Sequence, residues 1–142
     1  MNKQIDKVDA ECLEITGDQA YLLDGVPFNG TAVHYRSNGS TESELEFRDG
    51  IQNGLVRDWN VNGQLIFEGE MRNGVYHGTC NTWNDSGQLV EEEKYEYGIK
   101  TSHKKWSGDG TLVGQSELAE GDPNYELLQS SRRAFEFENE TE

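Results

Sequence analysis

One unit is written four times along about two thirds of this chain, and no feature limits its fold more. Residues 54–74 read GLVRDWNVNGQLIFEGEMRNG. The same skeleton precedes it at 30–50 (GTAVHYRSNGSTESELEFRDG) and follows it at 78–98 (GTCNTWNDSGQLVEEEKYEYG), with a worn fourth copy at 101–121 (TSHKKWSGDGTLVGQSELAEG). Three landmarks keep their offsets: an aromatic at +5 (Tyr35, Trp59, Trp83, Trp106), a glycine at +9 (Gly39, Gly63, Gly87, Gly110) and a closing glycine at +20 (Gly50, Gly74, Gly98, Gly121). Units of this length bury too little alone, so each must lean on its neighbours in a quasi-linear stack.

Within each unit, the residues after the first glycine alternate as a strand does, and so do those after the +9 glycine. Between them stand Asn38-Gly39, Asn62-Gly63, Ser86-Gly87 and Asp109-Gly110. The second connection carries Asp49-Gly50, Asn73-Gly74 and Tyr97-Gly98. Such pairs supply positive φ at small steric cost, as tight hairpins require. The expected fold is all-β: an open antiparallel meander of four hairpins, about eight strands, with a short C-terminal α-helix. Only 33% of the residues are hydrophobic, which suits a sheet with one thin apolar face.

Alternation assigns that face to Thr31/Val33/Tyr35, Leu55/Arg57/Trp59 and Thr79/Asn81/Trp83 on first strands. On second strands it assigns Thr41 and Phe47, Leu65 and Met71, Leu89 and Tyr95. Glu42-Glu44-Glu46, Ile66-Glu68-Glu70 and Val90-Glu92-Lys94 then fall on the opposite face, expected to be exposed and acidic. The organisation reads as a lead segment over 1–19, a repeat domain over 20–121 (units near 30–53, 54–77, 78–100 and 101–121), and a helix with an acidic tail over 122–142. Residues 20–29 read as half a unit capping the stack. Asp122 is a good N-cap and Pro123 suits the first helical position. Leu127, Leu128, Ser131 and Phe135 recur at helical spacing, so a helix over 123–136 is expected to cover the last strand edge. The Glu-rich tail from Glu136 onward is expected to be disordered.

The net charge of −15 is spread along the whole chain. Nucleic acid and anionic lipid both need a basic footprint, so neither is an expected partner. A basic protein would be attracted and its encounter accelerated. The doublets Lys104-Lys105 and Arg132-Arg133 sit among acids and read as solvated surface, with the second a candidate partner for the tail. Cys12 and Cys80 stand far apart, and sequence leaves their pairing open. No leader and no membrane-spanning apolar run is present, which points to a cytoplasmic protein.

Nothing in the pattern reads as an active site, so no catalytic residue, cofactor or enzymatic role is expected. His34, His77 and His103 fall at unrelated offsets and neither cysteine is close to one, so no metal is expected. No nucleophile elbow or phosphate loop occurs. The +5 aromatics, fixed in every unit, read as glue of the sheet. The +14 glutamates Glu44, Glu68 and Glu92 form a column with spacing of about 10 Å. At that distance their mutual repulsion is only about 0.4 kcal/mol in water, so the fold tolerates them. The additional acids Glu42, Glu46 and Glu70 lack that excuse and suggest a partner.

The unit resembles the MORN-repeat variant of bacterial proteins in the YwqK-like antitoxin group. The likeness rests on Gly54, Leu55, Trp59, Asn62-Gly63-Gln64-Leu65, Glu68-Gly69 and Asn73-Gly74, and on the entry Leu23-Asp24-Gly25-Val26-Pro27-Phe28-Asn29-Gly30. It spans residues 20–121. The chain departs from that pattern toward negative charge, with Glu42, Glu46, Glu70 and Glu93 where the family favours other residues. The resemblance implies a non-enzymatic immunity or antitoxin protein. Such a protein would occlude the active site of a basic bacterial toxin, here through Glu42, Glu44, Glu46, Glu68, Glu70 and Glu92. The alternative is a scaffold module, homo-oligomeric or envelope-associated.

Overall fold

The computed structural model of the chain describes residues 7–140. The chain starts with β1 (Lys7–Asp9), a 3₁₀ turn over Ala10–Cys12, and three short strands: β2 (Glu14–Ile15), β3 (Tyr21–Leu23) and β4 (Val26–Pro27). The first hairpin is β5 (Gly30–Tyr35) with β6 (Thr41–Arg48), and the second is β7 (Ile51–Trp59) with β8 (Leu65–Arg72). Then come β9 (Val75–Tyr76), the third hairpin β10 (Gly78–Trp83) with β11 (Leu89–Glu96), and the fourth, β12 (Ile99–Trp106) with β13 (Leu112–Glu117). An α-helix, α1 (Pro123–Glu140), closes the described residues. The four hairpins form one antiparallel meander in sequence order, β9 pairs with β8, and β1 adds a parallel strand beside β5. The expected open stack of hairpins is therefore the fold observed.

Turn chemistry sets the repeat. Each +9 glycine closes a three-residue loop: Gly39 N–H donates to the Arg36 carbonyl at 2.8 Å and Gly63 N–H to Asn60 at 3.0 Å. A register slip follows between residues +4 and +5 of every unit, as at His34/Tyr35 and Asp58/Trp59. The connections between units are tighter. Asp49-Gly50, Asn73-Gly74 and Tyr97-Gly98 have positive φ at both positions, the geometry that matches strand twist. The half unit does the same with Asp24-Gly25. These turns stack: Gly50, Gly74 and Gly98 donate to the carbonyls of Phe28, Gln52 and Tyr76, at 2.8, 2.9 and 2.8 Å. A side chain just before each following unit accepts the amide of the left-handed turn residue. Asn29 Oδ1 takes Asp49 N–H, Asn53 Oδ1 takes Asn73 N–H, and His77 Nδ1 takes Tyr97 N–H at 3.1 Å.

A second device joins one unit to the next. Glu46 Oε2 accepts the Leu55 amide at 2.9 Å, and its carboxylate fills the space that a Cβ on Gly54 would need. Glu70 lies over Gly78 in the same way. At both places the strand register slips by two residues. At the third junction the acid is Lys94 and the glycine is Thr101, and the slip is only one residue. Units therefore begin 24 residues apart twice, then 23. The missing residue is the one the acid would have bridged.

The slip after the +9 loop also corrects the expected faces. Thr31 pairs with Glu46 and Val33 with Glu44, whereas Phe47 pairs with Gly30 and Leu45 with Ala32. Residues paired directly across a ladder share a face. The +1 and +3 residues thus lie with the glutamates, and Phe47 lies on the other side. Unbroken alternation carried across a bulged turn gives the wrong parity. The apolar face holds instead Ala32, Leu45 and Phe47, then Val56, Phe67, Cys80 and Tyr95. Phe67, Tyr76 and Tyr95 run along it in sequence, with ring centroids 6.3 and 5.3 Å apart. The +5 aromatics pair with their own +11 partners, Trp59 with Leu65 and Trp83 with Leu89. They form no ring–ring ladder among the described residues.

The thickest packing lies where the lead segment meets the first hairpin. Phe28, Ala32 and Phe47 are buried there, with Val8, Ala10, Leu13, Tyr21, Leu23 and Leu45 packed against them. At the other end, α1 does not run along the β13 edge as expected. Arg132 pairs with Glu96, Phe135 packs on Tyr97 at 5.9 Å, and the Arg72 guanidinium lies 5.0 Å above the Phe135 ring. Asp122 caps the helix through Asn124 N–H at 2.9 Å. The helix runs on to Glu140, so the tail expected to be disordered from Glu136 is helical over its described part; residues 141–142 lie outside it. Arg132 pairs with Glu96, and Arg133 donates to the Ser130 hydroxyl. Cys12 is exposed, Cys80 is buried, and both are free thiols.

Candidate partner-binding surface

The six glutamates do not form one acidic wall. Glu44, Glu68 and Glu92 do line up across the sheet, but other residues stand between them. The row runs Val33, Glu44, Arg57, Glu68, Asn81, Glu92, Lys104. Arg57 Nε donates to Glu68 at 2.8 Å and Lys7 Nζ to Glu44 at 3.0 Å. Glu44 is only 19% exposed. This is a charge ladder of half-buried pairs, in which each cation relieves the acids beside it. Glu46 is committed to the Leu55 amide. Glu70 is exposed and borders a hollow that also holds Arg48 and Arg72.

Glu42 stands apart. The bulge after the loop turns it beside Asp58, at an open groove of about 460 Å³ lined by Arg36, Glu42, Asp58, Trp59, Ile66 and Asp85. The groove crosses the loop ends of the first three hairpins. Arg36, its one arginine, is tied to the groove wall: Nη2 donates to the Trp59 carbonyl at 2.5 Å, and Nε is buried with no hydrogen-bond partner among the described residues. Burial, then repulsion from Glu42, pushes the Asp58 carboxyl above its usual range, with His34 opposing in part. Three carboxylates, Glu42, Asp58 and Asp85, thus line the groove with one guanidinium. Sequence reasoning found Glu42 but missed Asp58 and Asp85. One signal was present: Asp58 occupies +4, where the other units have His34, Thr82 and Lys105.

A further cluster arises where sequence offered none. Glu91, Glu93 and His103 meet on the apolar face, with one ligand atom from each within 4.8 Å of the others. His103 Nε2–H donates to Glu91 at 2.8 Å. Glu93 accepts from Lys100 at 2.5 Å and from Tyr95 Oη at 3.0 Å. Burial pushes the Glu93 carboxyl up, but those two donors outweigh it and hold it below its usual range. The Tyr95 phenol is raised by its burial and by donating to Glu93.

Architecture and surface together define an open β-hairpin repeat protein with a mixed-charge face and an acidic groove at the loop ends. Compared with protein-family models, curated proteins and solved structures, the chain gives no match. Among the described residues no helix is long and apolar enough to cross a membrane.

Proposed function

We propose that this chain is a non-enzymatic binding protein of the antitoxin or immunity kind, which neutralises a basic bacterial toxin by covering its active site. The observation that supports this reading best is the loop-end groove. There Glu42, Asp58 and Asp85 surround Trp59, and Arg36 is occupied with a backbone carbonyl. A hollow with three carboxylates, one guanidinium and an indole wall suits a lysine or arginine side chain, through charge and cation–π attraction. Glu44, Glu46 and Glu68 are engaged within the fold, so they add a field around the contact rather than the contact itself.

The test is whether a neighbouring gene encodes a toxin-like protein that co-purifies with this chain, and whether the chain protects cells that express it. The double variant Glu42→Lys/Asp85→Lys should lose protection while keeping its circular dichroism spectrum, and wild-type binding should weaken steeply with salt. Undiminished protection by a folded double variant would refute the reading. A scaffold role is the second reading, favoured by one observation. On β13, the last strand of the meander, Leu112 and Val113 are 47% and 59% exposed, beside an edge with no partner strand among the described residues. That reading expects concentration-dependent oligomers in sedimentation, which Val113→Lys should abolish.

A further inference from the structure

The inner face of the third and fourth units departs from the first two in one place only partly explained by the fold. At +2 the units carry Ala32, Val56 and Cys80, then His103. At +15 they carry Leu45 and Gly69, then Glu93, and at +13 Ser43 and Phe67, then Glu91. Three positions that are mostly small or apolar elsewhere have become ligating side chains, all at the β11–β12 ladder. Register brings them together. Glu93 pairs directly with His103, and Glu91 shares their face two residues along the strand. Strand alternation fixes this spacing rigidly, as a loop would not.

We propose that Glu91, Glu93 and His103 form a binding site for a divalent transition metal of the zinc class. One imidazole nitrogen and two carboxylates are a donor set that such metals accept, whereas calcium and magnesium favour oxygen alone. The three ligand atoms lie within 4.8 Å of one another, so small rotations bring each to the roughly 2.0–2.2 Å that zinc requires, with water completing the tetrahedron. The side chains of His103, Glu91 and Glu93 are 29%, 32% and 17% exposed, partly sheltered yet open to an ion. Binding takes Nε2 without its proton, so the ring proton donated to Glu91 moves to Nδ1 and the neutral ring ligates the metal. It also displaces the Lys100 ammonium from Glu93. Lys100 is itself 46% exposed, and a half-exposed ion pair is a weak competitor. Lys105, which pairs with Glu91 in the register, is exposed and free to swing out.

The experiment is calorimetric titration of the full chain with ZnCl₂, accompanied by NMR of the three histidine rings. Saturable one-to-one binding is expected, with the His103 resonances shifting and those of His34 and His77 left in place. His103→Gln should weaken binding at least tenfold. Lys100→Met should tighten it several-fold, because it removes the competitor and leaves every ligand. The absence of saturable binding, equal binding by folded His103→Gln, or shifts at His34 or His77 in place of His103 would each overturn the proposal. Looser binding by Lys100→Met would overturn it too.

Discussion

The first hairpin and the last are built from the same unit and live in different surroundings. Strands β5 and β6 pack under the lead segment, where Phe28 and Phe47 are 3% and 6% exposed. Strands β12 and β13 end the stack, with Leu112 and Val113 largely in water. The first junction has its acid–glycine bulge, Glu46 over Gly54, whereas the last has Lys94 and Thr101. In a linear stack each unit gains stability only from its neighbours, so a unit with a capped side and a unit with a bare side cannot be equally stable. The capped end anchors the fold, and the bare end is free to fray or to meet a partner.

The largest test of that contrast is a pair of truncations. Phe47→Ala removes the ring at the centre of the cap and should cost about 3–5 kcal/mol in urea unfolding. Leu112→Ala should cost well under about 1 kcal/mol, as expected for a side chain half in water. Equal costs would erase the contrast.

Next comes the junction. Gly54 has φ of +114° and lies beneath the Glu46 carboxylate, so Gly54→Ala should cost roughly 1–3 kcal/mol through backbone strain and displacement of that carboxylate. Thr101→Ala, at the equivalent place in the fourth unit, should cost less, because Thr101 is not at positive φ and gives up only its hydroxyl bond to the Lys94 carbonyl. Thermal melts of the two variants decide the matter.

A finer test concerns the turn caps. His77 does for Tyr97 what Asn29 and Asn53 do for Asp49 and Asn73. Accepting at Nδ1 puts the ring proton on Nε2, which meets the Arg72 guanidinium at 3.3 Å as donor against donor. His77→Asn should therefore be close to neutral, while His77→Ala should cost about 1 kcal/mol. Amide exchange at Tyr97 reads the bond directly: it should accelerate in the alanine variant and not in the asparagine one.

The smallest effect is a pH dependence confined to the last hairpin. Asn38 Oδ1 accepts the Ser40 amide in the first loop, and Asp109 Oδ1 accepts the Thr111 amide in the fourth. Hydrogen bonds from Ser107 and Thr111 hold the Asp109 carboxyl at about 2. Its pKa is lowered on folding, so the stabilisation is present above the ordinary carboxylate range and is lost as pH falls toward about 2. Acid should loosen the fourth loop before the first, and Asp109→Asn should remove the difference. Loop-resolved NMR between pH 5 and 2 would show it.

These contrasts also mark what the chain's letters disclose. The hairpins, their order and both kinds of turn were legible, because glycine and asparagine at fixed offsets state the backbone geometry locally. Which face each residue occupies was not. A single bulge beside Trp59 or Tyr35 inverts parity, and no residue at +10 to +12 announces it. The glutamate column was legible as a column, but Arg57 between Glu44 and Glu68 became visible only with the register. The meeting of Glu91, Glu93 and His103 depends on β11 and β12 lying in one register out of several. The groove at Asp58 needs the bulge, the burial and three loops together. The helix was legible through Asp122 and Pro123, but its docking on Tyr97 and Arg72 was not, since amphipathic spacing names a face and never its partner.

The most direct measurement of the central claim, a stack anchored at its capped end, is native-state hydrogen exchange resolved by residue. Protection should be greatest in β5 and β6, decline through β8 and β11, and be least in β13. Uniform protection across the four hairpins, or greater protection in β12 and β13 than in β5 and β6, would contradict it.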